Sequence, residues 1–457
     1  MTVAKTHRSA EEIGRTERGP RPLPGLGEQR AAAEFSVADT VLDNGLRVLA
    51  VRKATVPTVE LRLRIPFGGT DPMHSARSEV LAETLLTGTE RWDRVTIDTE
   101  LALIGGELGT AVDPERLSIS GSALADGLPT LLDVLADALT GASYAGNEVA
   151  RERERLVERL AVARTQPRVI AREALQRRRY GDHPVTREMP QAEDVALVDP
   201  EQVRALHTAS VLPRGSVLVL VGDVDPDTVI GQVTDALAGW ASDAAATTLL
   251  PLPDLDGGDL HLVTRPGAVQ SQIRLSAQAI GRTDPRYAAL QLANLTYGGY
   301  FSSRLVENIR EDKGYTYGAH SGFDFTGDSA TLIVDADTAS EVTAAALLET
   351  RYELARLGIV PPTAEEVESV RQYAIGSLLI STSSQGGLAS QLAGLAGQGL
   401  DAEWLAEHPG RLAAVTADEV ASAAIEFFAP ARFTGVVVGD PDVVGAGLTA
   451  LGGVVVP

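Results

Sequence analysis

The chain contains no cysteine in its 457 residues. Disulfides, thiolate metal sites and cysteine nucleophiles are therefore excluded. This fits a cytoplasmic protein, which is the expected location. No apolar run approaches the roughly 18 residues that a membrane-spanning helix requires. The first residues, Met1 to Gln29, lack the apolar centre of a signal peptide and are rich in Pro, Gly and Arg. They read as part of a flexible N-terminal tail over residues 1–36. Positive charge is also short: the net charge is −22 and the pI is near 4.8. Such a surface repels nucleic acid and anionic lipid, so neither is an expected partner. It can attract a basic peptide, or the charge can simply keep the chain soluble. No Gly-rich phosphate loop follows an early strand. In Ile104-Gly105-Gly106-Glu107-Leu108-Gly109, Ile104 stands where the first glycine of G-x-G-x-x-G would be needed.

What is present is an ordinary globular composition, 44% hydrophobic and 22% charged, on a chain long enough for two or more domains. Leu46 to Val51 is apolar enough for a buried strand. Leu61-Arg62-Leu63-Arg64-Ile65 alternates, as does Leu117, Ile119, Gly121, Ala123. Ser78 to Thr89 reads as an amphipathic helix stopped at Gly88. Leu128, Leu131, Leu132, Leu135 and Leu139 recur at helical spacing, and a long charged helix follows over Arg151 to Arg164. Asp199-Pro200-Glu201-Gln202 is a helix start: an acidic cap, a proline in the first turn, and Gln three residues after the cap. Val217 to Val221 is a buried strand ending in Gly222-Asp223.

The pattern then repeats. Residues 241–258 form a linker by composition. After it, Leu262-Val263 and the alternating Ile273, Leu275, Ala277, Ala279 echo the opening strands. Thr416-Ala417-Asp418-Glu419 answers the Asp199 cap, and Gly439-Asp440 answers Gly222-Asp223. Both pairs stand 217 positions apart. Two independent marks at one offset imply two copies of one α+β unit of roughly 200 residues. The expected fold is α+β, with two homologous domains at 37–240 and 259–457. Each is a mainly antiparallel sheet with helices packed on one face.

Three stretches carry a resemblance. They are Leu85-Leu86-Thr87-Gly88-Thr89; Gly181-Asp182-His183-Pro184 with Leu206-His207-Thr208-Ala209; and Gly298 to Leu305 continuing through Ile309-Arg310-Glu311-Asp312-Lys313-Gly314-Tyr315-Thr316-Tyr317. Over about residues 37–445 the chain resembles the insulinase–pitrilysin metallopeptidases, especially their short bacterial and mitochondrial-processing-peptidase branch. The resemblance implies two homologous α+β domains, in agreement with the repeat.

In that family two histidines of an H-x-x-E-H helix and a later glutamate hold zinc, and the intervening glutamate is the general base. Registered on Thr87-Gly88-Thr89, the histidine positions fall on Glu79 and Glu83 and the base on Ala82. The later ligand falls on Arg159, 76 residues past Glu83. A carboxylate can bind zinc. An alanine is no base, however, and an arginine carries a permanent charge that repels a cation. No metal is expected in this chain. His7, His74, His183, His207, His261, His320 and His408 form no similar spacing, and His183 reads as a turn or core residue. Arg159 is expected to form a salt bridge with Glu79 or Glu83 or both; the alternative is three exposed surface charges. The family's substrate strand usually reads Gly-Gly-x-x-Asn-Ala, and Gly105 to Thr110 lacks that Asn.

The family's paired Arg and Tyr, seven residues apart, match Arg310 and Tyr317. By resemblance they contact substrate and stabilise the oxyanion. The competing reading is an Arg paired with Glu307 or Glu311 and a Tyr packed in the core. The resemblance implies the non-metal-binding subunit of a heterodimeric zinc metallopeptidase, inactive alone. Its partner would be a homologous subunit carrying H-x-x-E-H and zinc, and its substrate a peptide or leader segment. The alternative is a catalytically inert scaffold or peptide-binding subunit.

Overall fold

A computed structural model of the chain describes residues 36–457. The expected tail therefore lies outside the described residues, except for Ser36, which begins the first strand. The described residues form one compact unit. Within it stand two six-stranded sheets. The first comprises β1 (Ser36–Val41), β2 (Arg47–Arg52), β3 (Thr58–Pro66), β4 (Glu107–Val112), β5 (Arg116–Leu124) and β6 (Val217–Gly222), in the order β1-β2-β6-β3-β5-β4. The second comprises β7 (Leu260–Thr264), β8 (Gln270–Gln278), β9 (Thr316–Thr326), β10 (Ser329–Ala339), β11 (Thr434–Gly439) and β12 (Val454–Val455), in the order β12-β7-β11-β8-β10-β9. Apart from the first strand in each order, the sheets share one topology. Most pairs are antiparallel, and in each half one internal pair, β2–β6 or β7–β11, is parallel. The fold is thus α+β with a repeated unit. The strands β6 and β11 themselves lie 217 positions apart.

The helix starts read from sequence form as capping chemistry dictates. Asp199 accepts from the Gln202 amide while the Gln202 side chain accepts from the Asp199 amide. Thr416 and Glu419 do the same. The opening helix differs from its expected span. It runs His74–Thr84, starting earlier than Ser78 and ending before Gly88. Thr84 donates its hydroxyl to the Val80 carbonyl and Thr87 donates to that of Thr84. Such side-chain bonds compete with helix continuation. The following residues instead bridge to other segments, Gly88 to Asp93 and Thr89 to Ala142.

Alternation along β3 and β5 puts polar residues on one face of the first sheet, while β2 and β6 are apolar on both faces. That face is covered too, by an exchange of helices between the halves. In the first half Val48, Ala50, Leu218 and Leu220 point into the half's own core. Leu49, Val51, Val217, Val219 and Val221 point the other way. They are buried under Leu388, Leu392 and Leu395 of the second half's Gln385–Ala396 helix. Reciprocally, the first half's Pro167–Tyr180 helix packs on β8 and β11. Beneath it even the polar positions Gln272, Arg274 and Ser276 of β8 are buried. The exchanged helices are pinned by polar anchors. Arg179, 3% exposed, bonds Asp324, Thr331 and the Tyr180 hydroxyl at 3.1, 2.6 and 2.6 Å. Gln385 donates to the carbonyls of Lys53 and Val56 and accepts from the Thr58 hydroxyl.

Candidate functional site

The helix His74–Thr84 places Glu79 and Glu83 one turn apart on one face. The long helix Gly146–Ala163 packs against it and brings Arg159 across. Arg159 donates to the Glu83 carboxylate at 2.6 Å over a sequence separation of 76. The pair is partly open to water: the Arg159 side chain is 56% exposed and that of Glu83 33%. Glu79 is half-buried and forms neither a hydrogen bond nor an ion pair among the described residues. Burial, reinforced by the Glu83 charge, raises its pKa to about 7, with Arg159 opposing the shift. Ala82 is buried, and its carbonyl accepts from Thr110 of β4 at 2.6 Å. That bond ties the sheet edge to the helix through the residue where a general base would stand.

These residues do not fit zinc. Zinc takes four tetrahedral ligands, three or more of them from protein. Here one carboxylate is neutralised by a guanidinium, one position is that guanidinium, and the base position has no polar side chain. Among the described residues no group of three or more His, Asp or Glu side chains is placed to hold a metal ion. The buried acid of the long helix is Glu152, which faces Arg94 at 2.8 Å and Arg155 at 3.2 Å instead. His183 and His207 serve the fold. His183 accepts from the Val185 amide in the turn before Pro184–Arg187. His207 accepts at Nδ1 from the Tyr144 hydroxyl and donates from Nε2 to the Leu139 carbonyl. The sequence reading missed Glu188, which stands near Glu79, pairs with Arg172 at 2.6 Å and is shifted upward by burial. No spacing rule links Glu188 to the His74–Thr84 helix; only the fold brings them together.

Arg310 lies in a wide turn, Glu307–Asp312, whose amides reach back farther than in an α-helix: Lys313 bonds the Asn308 carbonyl and Tyr315 that of Ile309. Gly314 then turns the chain into β9 at φ +63°, a conformation that glycine adopts without strain. Asn308 anchors the turn by donating to Glu349 and Glu353 at 3.0 and 2.7 Å. Arg304 fixes the preceding segment with two bonds to Glu366, at 2.9 and 3.0 Å, and one to the Val360 carbonyl. On this rigid base the Arg310 guanidinium carbon lies 4.6 Å from the Phe301 ring centroid and 5.5 Å from that of Tyr317. Its nearest carboxylate, Glu311, is 3.5 Å away. Tyr317 is 93% exposed and Phe301 60%. Tyr317 is therefore not a core residue, and Arg310 is held by aromatic faces rather than by a tight ion pair. The arrangement presents a guanidinium and a phenol together at the start of an edge strand.

Comparison with known proteins agrees with this fold. The family described as Insulinase (Peptidase family M16) matches residues 47–193, and that described as Peptidase M16 inactive domain matches residues 198–373. The chain belongs to the insulinase family. The second match includes Arg310 and Tyr317 and leaves out the His74–Thr84 helix. An uncharacterized zinc protease of Mycobacterium leprae is 25% identical over 69% of this chain and 72% of its own length. One of Streptomyces coelicolor is 26% identical over 70% of each. Among solved structures, a peptidase M16 inactive domain from Pseudomonas fluorescens has a TM-score of 0.79 at 21% identity, covering 89% of this chain and 98% of that one. A protease from Helicobacter pylori has a TM-score of 0.80 at 17% identity, covering 89% and 100%. The periplasmic protease PqqL from Escherichia coli has a TM-score of 0.74 at 17% identity; 94% of this chain matches only 50% of that one.

Proposed function

We propose that this chain is the non-metal-binding subunit of a heterodimeric zinc metallopeptidase that hydrolyses peptides or leader segments in a closed chamber. The observation that carries the reading is the contrast between its two halves. The first half has a metal position occupied by Ala82, Arg159 and a paired Glu83. The second keeps Arg310 beside Tyr317, whose ring is 93% exposed rather than packed in the core. The partner is a homologous subunit carrying H-x-x-E-H, and zinc belongs to that subunit. This chain contributes a fixed positive charge and one O–H donor, both suited to charge developing on a carbonyl oxygen. The match to half of a longer protease chain supports an enzyme in which this fold is one of two parts. A scaffold role accounts equally for the lost metal site but gives no reason for an exposed Arg–Tyr pair.

The test is reconstitution. This chain alone should not cleave peptides, while the chain with its H-x-x-E-H partner and zinc should. Arg310→Ala should lower turnover of the assembled enzyme while its zinc content stays the same. Cleavage unchanged by Arg310→Ala would remove the catalytic role, and the inert scaffold would then be the better reading.

A further inference from the structure

Beside the altered metal position lies a cavity of about 310 Å³ between the helices His74–Thr84, Gly146–Ala163 and Pro167–Tyr180. Its walls are mainly apolar, with Val112, Leu156, Leu160, Val169 and Met189 contributing. Most of the polar groups on the wall are already satisfied. Arg159 pairs with Glu83 at 2.6 Å, Arg172 with Glu188 at 2.6 Å, and Glu173 with Arg164 at 3.4 Å. Thr186 donates to the His183 carbonyl. Two acceptors remain. Glu79 has no hydrogen-bond or ion-pair partner among the described residues. The buried Oε1 of Gln176 likewise has none. Leaving the buried Gln176 oxygen unsatisfied is costly, whereas the half-buried Glu79 carboxylate is open to an incoming donor.

We propose that this cavity is a binding pocket for a lysine side chain of a peptide, built where the metal chemistry was lost. The match is in three parts. An ammonium carries three donors and no acceptor, so it complements two free acceptors. A four-carbon stem covers apolar walls while its head reaches a charge. A guanidinium, with five donors in a rigid fork, would leave several unmet against these two single acceptors. The net charge of −22 favours approach of a basic peptide. The pocket belongs to this chain alone and does not depend on a metal-bearing partner, so its failure would leave the proposed catalytic role untouched.

The experiment uses the full chain without a partner and a pair of short fluorescent peptides that differ at one residue, lysine against norleucine. Norleucine keeps the stem and removes the ammonium. By fluorescence anisotropy the lysine peptide should bind at least about tenfold tighter. Glu79→Gln, nearly identical in shape, should erase that preference while leaving the weak norleucine binding unchanged. Ala163→Trp, which fills the cavity from its wall, should weaken lysine binding without touching a charge. Equal binding of the two peptides, no binding of either, or a lysine preference that survives Glu79→Gln would each overturn the proposal. The wild-type peptide comparison decides the matter even if a variant fails to fold.

Discussion

Replacing Arg159 by alanine tests the proposed conversion of the metal position most directly. The Arg159–Glu83 pair is short, at 2.6 Å, but more than half of the arginine side chain is in water. A pair this open contributes about 0.5–1 kcal/mol. A second contribution is the attraction of Arg159 for the neighbouring Glu79 carboxylate, worth up to roughly 1 kcal/mol at the effective dielectric of a half-wet site. Arg159→Ala should therefore cost roughly 1–2 kcal/mol at pH 8, above the Glu79 pKa of about 7. Below that pKa the attraction for Glu79 disappears, and the cost should fall to under about 1 kcal/mol. Glu79 also gives the wild type a pH signature. Glu83, Arg159 and Glu188 face it, and its folded pKa of about 7 exceeds the ordinary 4.5. The folded state thus binds the proton more tightly than the unfolded chain. The resulting stability is present at low pH and is lost as pH rises from 4.5 through 7, at about 1.4 kcal/mol per unit and about 3 kcal/mol at most. Glu79→Gln carries no such proton, so its stability relative to wild type should climb over that window. Urea unfolding of wild type, Arg159→Ala and Glu79→Gln at pH 5.5, 7 and 8.5 measures all of this. Parallel stability curves for wild type and Glu79→Gln, or an Arg159→Ala cost of 3 kcal/mol or more that ignores pH, would refute the reasoning.

Three further outcomes are expected. Tyr317→Phe removes one hydroxyl from a 93% exposed ring, so the melting temperature should not move, while turnover of the assembled peptidase should fall roughly 10²-fold, as for loss of one oxyanion donor; unchanged turnover would count against the role. Added zinc should neither raise the melting temperature of the isolated chain nor co-purify with it in stoichiometric amount, and metal analysis with calorimetry checks both. Arg179→Ala strips the buried anchor from Asp324, Thr331 and Tyr180 and should cost about 3 kcal/mol by urea unfolding; a loss below 1 kcal/mol would show that the exchanged helix holds without it.

The sequence by itself determined what is local or periodic. Caps at Asp199 and Thr416 depend on four adjacent residues. The strand alternation of β3 and β5 depends on a two-residue period. The internal repeat was legible because both copies keep those local marks at one offset. The likeness of the opening helix to a metal-binding helix rests on a register set by Thr87-Gly88-Thr89, and the Arg310–Tyr317 spacing lies within a single stretch. Only the tertiary structure decided the rest. The alternating strands gave no sign that Pro167–Tyr180 and Gln385–Ala396 would cross to cover the opposite sheets, because such burial follows from contacts far apart in the chain. The degree of exposure of the Arg159–Glu83 pair, and hence its modest energy, depends on how two helices meet water. The cavity joining Glu79 to Gln176 has no sequence signature at all, since it is a space left between three packed helices. The His74–Thr84 helix thus reads from sequence as a metal-binding helix with its ligands exchanged, and in the structure carries a half-buried carboxyl with no hydrogen-bond or ion-pair partner among the described residues.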